Sequence, residues 1–184
     1  MVEYWRFTRT PTARRLYDVF KRAGLTATRM YEYEVPLAGG DTADRSPPSS
    51  MIRVETYSPG EVDTLSDDID FSRPMEPLNG EWVVVASVDG TPIGRTLVSD
   101  EPSPYIGTLE RSVPVDGAYV RRVFVKPDHR GAGIASNLLR EALVVARGEL
   151  DCGTATALIA ADNEPSQRLF EGRGFTQVQA HDYL

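Results

Sequence analysis

Cysteine is nearly absent from this chain of 184 residues: Cys152 stands alone. No internal disulfide can form, and with no Cys or His cluster beside it Cys152 offers no metal site. It reads as a buried or half-buried small residue. Long apolar runs are missing too. No stretch of about 18 apolar residues occurs, and the amino terminus, with Glu3 and Arg6 around Trp5, lacks a signal-peptide core. A soluble cytoplasmic protein with no membrane partner is expected. Lysine is scarce, two against eighteen arginines, and no basic stripe interleaved with aromatics appears, which argues against nucleic acid as a partner.

What is present is acidic in one place. The net charge is −7, but residues 1–35 hold seven Lys/Arg against four Asp/Glu, residues 36–116 five against fifteen, and residues 117–184 eight against eight. The acidic middle would attract a cationic amine, although a generally acidic surface explains it as well. The length fits one domain with an extension and is enough to bury a substantial core.

The most informative stretch joins a strand to a helix. Residues 119–125, Tyr-Val-Arg-Arg-Val-Phe-Val, are β-branched and aromatic apart from the arginine pair, and Pro127 bars the ladder from continuing. From Ile134 onward Ile134, Leu138 and Ala142 recur at i+4, with Ala135, Leu139, Leu143 and Ala146 beside them. Ser136, Asn137, Arg140, Glu141 and Arg147 fall on the other, solvated face. The first N–H groups of such a helix have no intrahelical partner and carry the positive end of its dipole, so they suit an anion. Gly131 and Gly133 let backbone approach one. The Rossmann Gly-x-Gly-x-x-Gly and the P-loop Gly-Lys-Ser/Thr are both missing from this turn.

Arg130, Gly133 and Ala135, after the lead-in Val125-Lys126-Pro127, resemble motif A of the GCN5-related N-acetyltransferases (GNAT), Arg/Gln-x-x-Gly-x-Gly/Ala. About thirty residues on, Asn163, Ser166, Leu169, Phe170, Gly174 and Phe175 resemble motif B of the same family, with Ser166 where alanine is usual. The resemblance covers residues 51–184. It implies an α/β fold with a mixed, partly split β-sheet flanked by helices. Ahead of it stands an N-terminal helix-strand extension, residues 1–37, packing on the core, and a flexible linker at 38–50. It also implies that the turn Arg130, Gly131, Ala132, Gly133, Ile134 and Ala135 holds the pyrophosphate of acetyl-CoA. Val123 and Val125 would offer backbone groups to the pantetheine arm, and Asn163 and Phe170 would line its far side. Taken alone, Asn163 reads as a helix cap.

Along the rest of the chain, Val2–Phe7 suits a short strand and Pro11–Ala23 a helix. Residues 28–35 alternate as a strand, with Met30 on one face and Tyr31, Tyr33 and Val35 on the other. Residues 51–57 form another strand, followed by a capped helix start at Ser58-Pro59-Gly60-Glu61. Residues 66–80 read as irregular loop. Trp82–Val88 and Thr91–Val98 flank Asp89-Gly90 as a hairpin, and residues 99–117 read as a polar, proline-bearing connection. Residues 154–161 are a buried strand, Pro165 suits the first turn of a helix, and Phe175 opens a last strand. That strand leaves an exposed edge, which residues 28–35 are suited to fill.

The resemblance implies acetyl transfer to a primary amine, on a small molecule or on a protein or peptide, by direct attack in a ternary complex. No catalytic residue is assigned. Phe170 stands where the family commonly has a tyrosine whose hydroxyl protonates the departing thiolate. Tyr105, Tyr119 and Tyr183 are substitutes for it. The family often has a glutamate on the strand before motif A, where this chain has Arg121 and Arg122. Glu34, Glu55, Glu110 and Asp116 remain as carboxylates. His129 suits a loop or phosphate contact, and His181 the surface. An acyl-CoA-binding sensor without turnover is the alternative, and a homodimer is among the assemblies left open.

Overall fold

A computed structural model of the chain describes residues 28–37, 52–62, 80–107 and 109–183. The expected strand at 2–7, helix at 11–23, linker at 38–50 and loop at 66–79 lie outside the described residues. Nine strands are described: β1 (Thr28–Pro36), β2 (Ile52–Tyr57), β3 (Trp82–Val88), β4 (Thr91–Ser99), β5 (Tyr105–Ile106), β6 (Arg111–Ser112), β7 (Ala118–Val125), β8 (Thr154–Ala160) and β9 (Thr176–Tyr183). The helices are α1 (Pro59–Val62), α2 (Ile134–Gly148) and α3 (Glu164–Glu171), with a 3-10 turn at Pro127–His129.

Seven strands form one mixed sheet in the order β2-β3-β4-β7-β8-β1-β9, while β5 and β6 pair separately. The Asp89-Gly90 hairpin forms as its sequence requires. Both residues take positive φ, 50° and 77°, the twist that a two-residue link between right-handed strands needs. Helix α1 opens on a one-sided side-chain cap, Ser58 N–H and Oγ both donating to Glu61 Oε2, at 2.9 and 2.6 Å, while the Glu61 N–H donates to the Ser58 carbonyl at 2.9 Å.

Helix α2 packs on one sheet face through Ile134, Leu138, Leu139, Ala142, Leu143, Val145 and Ala146. This is the stripe its spacing predicts, with Val145 and Asn137 buried in addition and Ala135 only half-buried. Each fully buried aliphatic chain there contributes about 1.5–3 kcal/mol, so Leu138→Ala would remove a large part of the net stability. Tyr31, Tyr33 and Val35 of β1 and Ala155, Ala157 and Ile159 of β8 join the same cluster.

The stretch 99–117 is more than a polar connection. Ile106, Leu109 and Val113 are buried and pack with Met30 and Tyr119 on the opposite sheet face, Val115 and Leu158 alongside. Single apolar residues scattered among prolines and turns have no period, so their burial becomes visible only when a sheet surface is laid beneath them.

Strand β1 is placed one position further in than the sheet edge. It pairs antiparallel with β8 over Met30–Pro36 and antiparallel with β9 over Thr28–Glu34. The last strand therefore hangs on a strand from the other end of the chain. Arg29 holds Asp182 across that pair, Nε to Oδ1 at 2.6 Å and Nη2 to Oδ2 at 2.9 Å.

Among the described residues no helix is long and apolar enough to cross a membrane.

Candidate functional site

The parallel ladder between β7 and β8 is two residues long, Ala118↔Ala155 and Tyr119↔Thr156. Gly117 closes its root. A Cβ there would stand 2.1 Å from the Thr154 carbonyl oxygen, and φ is +69°, so two backbones meet at a distance only glycine allows. Beyond Tyr119 the strands follow different partners: β7 stays on β4 as far as Val125, and β8 stays on β1 as far as Ala160. Because β7 and β8 run the same way, the segments that leave them, Lys126–Gly133 and Ala161–Asn163, stand at the same open end of the gap.

Backbone direction within the gap can be read from its bonds. Lys126 N–H donates to Ile93 O on β4 at 2.8 Å, so by strand alternation Val125 directs its peptide groups, and Val123 its carbonyl, away from β4 and into the gap. The Val125 carbonyl takes its bond there from Arg130 Nε at 3.0 Å. Arg130 thus ties the glycine turn to the strand end.

At the turn, Gly131 and Gly133 have φ of +83° and +74°, and a Cβ built on either would meet nothing within 4 Å. Gly133 caps α2 with no side-chain hydrogen bond. The amides of Ile134, Ala135 and Ser136 precede the first helical bond, Asn137 N–H to Gly133 O, and open space lies above the glycines. Gly131, Ala132 and Gly133 are exposed while Ile134 is buried as the anchor. The donor set and the room suit a pyrophosphate.

On the other side of the gap, Asn163 caps α3, its Oδ1 accepting from Ser166 N–H at 3.4 Å, and Arg173 Nε donates to Ser136 Oγ on α2 at 2.7 Å. Phe170 is buried and meets Phe175 edge-on, centroids 4.9 Å apart. Its ring is spent on packing. Tyr33 of β1 donates to Glu171 Oε1 at 3.2 Å, so the inserted strand also holds the helix of motif B.

The candidate tyrosines separate clearly. Tyr105 is 63% exposed on β5, and Tyr183 sits at the end of β9 opposite Thr28, two strands from the gap. Tyr119 is buried on β7 at the root of the gap, and desolvation pushes its phenol up to about 12. Of the carboxylates, Glu34 lies on β1 with its pKa raised by burial first and then by Glu32 and Asp116. Glu55 accepts from Tyr57 Oη at 3.4 Å on β2, and Glu110 and Asp116 are exposed. His129 is half-buried in the 3-10 turn. His181, expected at the surface, is buried, with Nε2 2.6 Å from Glu32 Oε2 and Nδ1 3.5 Å from Arg111 Nη2. The insertion of β1 beside β9 is what covers it.

Two buried charged groups that reach β7 from the β3–β4 side escaped prediction from the sequence. Glu81, 1% exposed, takes both ends of Arg121, Nη2 to Oε2 at 2.6 Å and Nε to Oε1. Arg95 is buried on the same face, its pKa lowered by desolvation first and then by Arg122 and Arg121. The one available signal for Glu81 was its place between Gly80 and the apolar run Trp82–Val88, where a lone carboxylate calls for a partner.

The Acetyltransferase (GNAT) family model matches residues 49–175. Among solved structures, a Drosophila protein is similar over 92% of this chain and 55% of its own, at 14% identity and a TM-score of 0.58. A protein described as a GNAT-family acetyltransferase from Novosphingobium aromaticivorans is similar over 86% and 63%, at 16% identity and 0.57. A GCN5-related N-acetyltransferase from Kribbella flavida is similar over 88% and 60%, at 14% identity and 0.54. The chain thus spans less than two thirds of the length of each. No curated protein matches it. At these identities the solved structures speak for the fold, and the family model, which covers more than half of the chain, speaks for its membership. The chain belongs to the GNAT family of acetyltransferases.

Proposed function

We propose that the protein is an N-acetyltransferase that moves an acetyl group from acetyl-CoA to a primary amine by direct attack. The observation that carries this reading is the gap between β7 and β8, which opens onto the glycine turn at the N-terminus of α2. The turn, tied by Arg130 to Val125, would hold the pyrophosphate. The inward Val123 carbonyl and Val125 peptide groups would hold the pantetheine arm, with Asn163 and Phe170 on the far wall. In the reaction the amine nitrogen bonds to the thioester carbonyl carbon, the carbon–sulfur bond breaks, the nitrogen gives up a proton and the thiolate takes one. A backbone N–H fixed at the carbonyl oxygen stabilises the charge that develops there, and the two reactants held together supply most of the remaining gain. Of the three candidate tyrosines only Tyr119 lies at the gap root; it is neutral at physiological pH, but its ring packs on the sheet face opposite Phe170.

A second reading has one observation in its favour. Phe170 is packed on Phe175 and supplies no proton, as would suit a CoA-binding sensor. One pair of measurements separates the two: calorimetry with CoA, and thiol release from acetyl-CoA across a panel of amines with wild type and Gly133→Glu. Release with some amine, lost in the variant, supports the enzyme. Tight CoA binding with no release supports the sensor, and no CoA binding refutes both.

A further inference from the structure

Strand β7 does not run regularly along β4. Gly94 faces Val125 and Arg95 faces Phe124, yet Leu97 faces Arg121. One residue on β4, Thr96, is therefore matched by two on β7, Arg122 and Val123, and Arg122 takes φ of +55°. This is a β-bulge with a non-glycine residue in left-handed backbone, a conformation that costs about 1–2 kcal/mol. A bulge shifts the alternation of the strand. Above it Phe124 faces the sheet side that carries Arg95, while Val123 and Val125 face α2 and the gap. Below it Arg121 and Tyr119 face the side that Phe124 faces above. Were the bulge to slip by one residue, the peptide groups pointing into the gap would change.

Arg121, the residue just before the bulge, is gripped at both ends. Its carbonyl accepts from Thr96 Oγ1 at 3.1 Å, and its guanidinium is held bidentately by Glu81. The two side chains are 13% and 1% exposed. A buried ion pair gives little net stability over an apolar pair of the same size, and an arginine fork fixes direction as well as distance. What such a pair supplies here is one geometry for Arg121 and hence one register for the bulge.

We infer that the Glu81–Arg121 pair is a positioning device for acyl transfer, locking the β7 bulge so that the Val123 carbonyl and the Val125 peptide groups face the gap in the orientation the reaction needs. The inference rests on the acetyl-transfer reading for its effect on rate, and on the bulge alone for its effect on structure. Glu81 acts through Arg121 and the backbone, so neither residue needs to touch the substrates. The pyrophosphate turn lies beyond Pro127 and is held separately by Arg130, so affinity for CoA depends on the pair much less than turnover does.

The test uses the whole chain in three forms: wild type, Arg121→Lys, and the double variant Glu81→Leu/Arg121→Leu, which removes both charges of the pair together. With an amine that wild type acetylates, the double variant is expected to melt close to wild type. It should bind CoA within a few-fold and lose about 10²-fold in kcat, the scale of a misplacement of about 1 Å. Arg121→Lys, which keeps the charge without the fork, should fall between. Amide hydrogen exchange supplies the second readout: CoA slows exchange at Val125 in wild type and should no longer do so in the double variant. A double variant with unchanged kcat, or with CoA-dependent protection intact, overturns the inference. If wild type binds CoA but acetylates nothing, the acetyl-transfer reading fails, and the exchange measurement still decides whether the pair sets the bulge. If the double variant does not fold, Arg121→Lys carries the test, and equal kcat and equal protection to wild type refute the device.

Discussion

Replacing Tyr33 by alanine tests whether the N-terminal strand is part of the fold. Tyr33 is 2% exposed, faces Ala157 on one side and Gln177 on the other, and packs in the main core cluster beneath α3. Truncating a buried aromatic ring leaves a cavity and costs about 3–5 kcal/mol. That is a large share of the roughly 5–15 kcal/mol that holds a domain folded. At about 2–4 °C per kcal/mol for a chain of this size, the melting temperature should fall by roughly 6–20 °C. Tyr33→Phe keeps the ring and removes only the bond to Glu171, whose side chain is exposed, so about 0.5–1.5 kcal/mol is expected. Val178→Ala on β9, 51% exposed, is the control and should stay within about 0.5 kcal/mol. Urea titrations followed by circular dichroism give the three values, and calorimetry with CoA gives the functional consequence. Because Tyr33 steadies the helix that begins at Asn163, Tyr33→Ala should also weaken CoA binding. A Tyr33→Ala variant as stable as Val178→Ala would refute the placement of β1 between β8 and β9.

Three further outcomes are expected. Gly117→Ala puts a Cβ 2.1 Å from the Thr154 carbonyl oxygen, which only backbone movement can relieve. Its soluble yield or melting temperature should drop sharply, whereas Gly60→Ala, with nothing within 4 Å, should change little. Arg130→Ala removes the bond to Val125 O and should weaken CoA binding in calorimetry while leaving the urea midpoint nearly unchanged, because the side chain lies on an exposed turn. The phenols of Tyr33 and Tyr119 are both raised to about 12, by burial first and, for Tyr33, then by Glu171. A raised pKa means the unfolded chain loses these protons first. Their contribution is full below about pH 10 and is lost as the pH rises from about 10 to 12. Urea midpoints measured from pH 9 to 12 should show that loss, and Tyr33→Phe should flatten part of it. An unaltered alkaline profile in Tyr33→Phe would show that Tyr33 is not the group responsible.

Much of the fold was legible because its signals are local. The apolar alternation of Trp82–Val88, the Asp89-Gly90 turn, the stripe from Ile134 to Ala146 and the glycine turn before it each follow from spacing and backbone preference within a few residues. The helix cap at Asn163 and the parallel strands on either side of α2 belong to the same class. The spacing of motifs A and B was legible too, and it led to the family that the comparison then established.

Other features depend on residues far apart in sequence. Arg121 reads as an anomaly on an apolar strand until Glu81, forty residues earlier, is seen beside it. His181 looks like a surface histidine until Glu32 arrives from the opposite end of the chain. The burial of Ile106, Leu109 and Val113 needs a sheet face beneath them.

By itself the sequence determined the glycine turn of residues 130–135 and the helix that opens from it, because helix starts and left-handed glycines are properties of neighbours. Only the tertiary structure decided that the strands on either side of that turn part after two pairs of residues. It likewise decided that the strand which braces the far wall comes from residues 28–36. Strand pairing carries no address in either partner's sequence: edge hydrogen bonds are the same for every strand, and which one fills the place is settled by the shape and burial of the whole sheet.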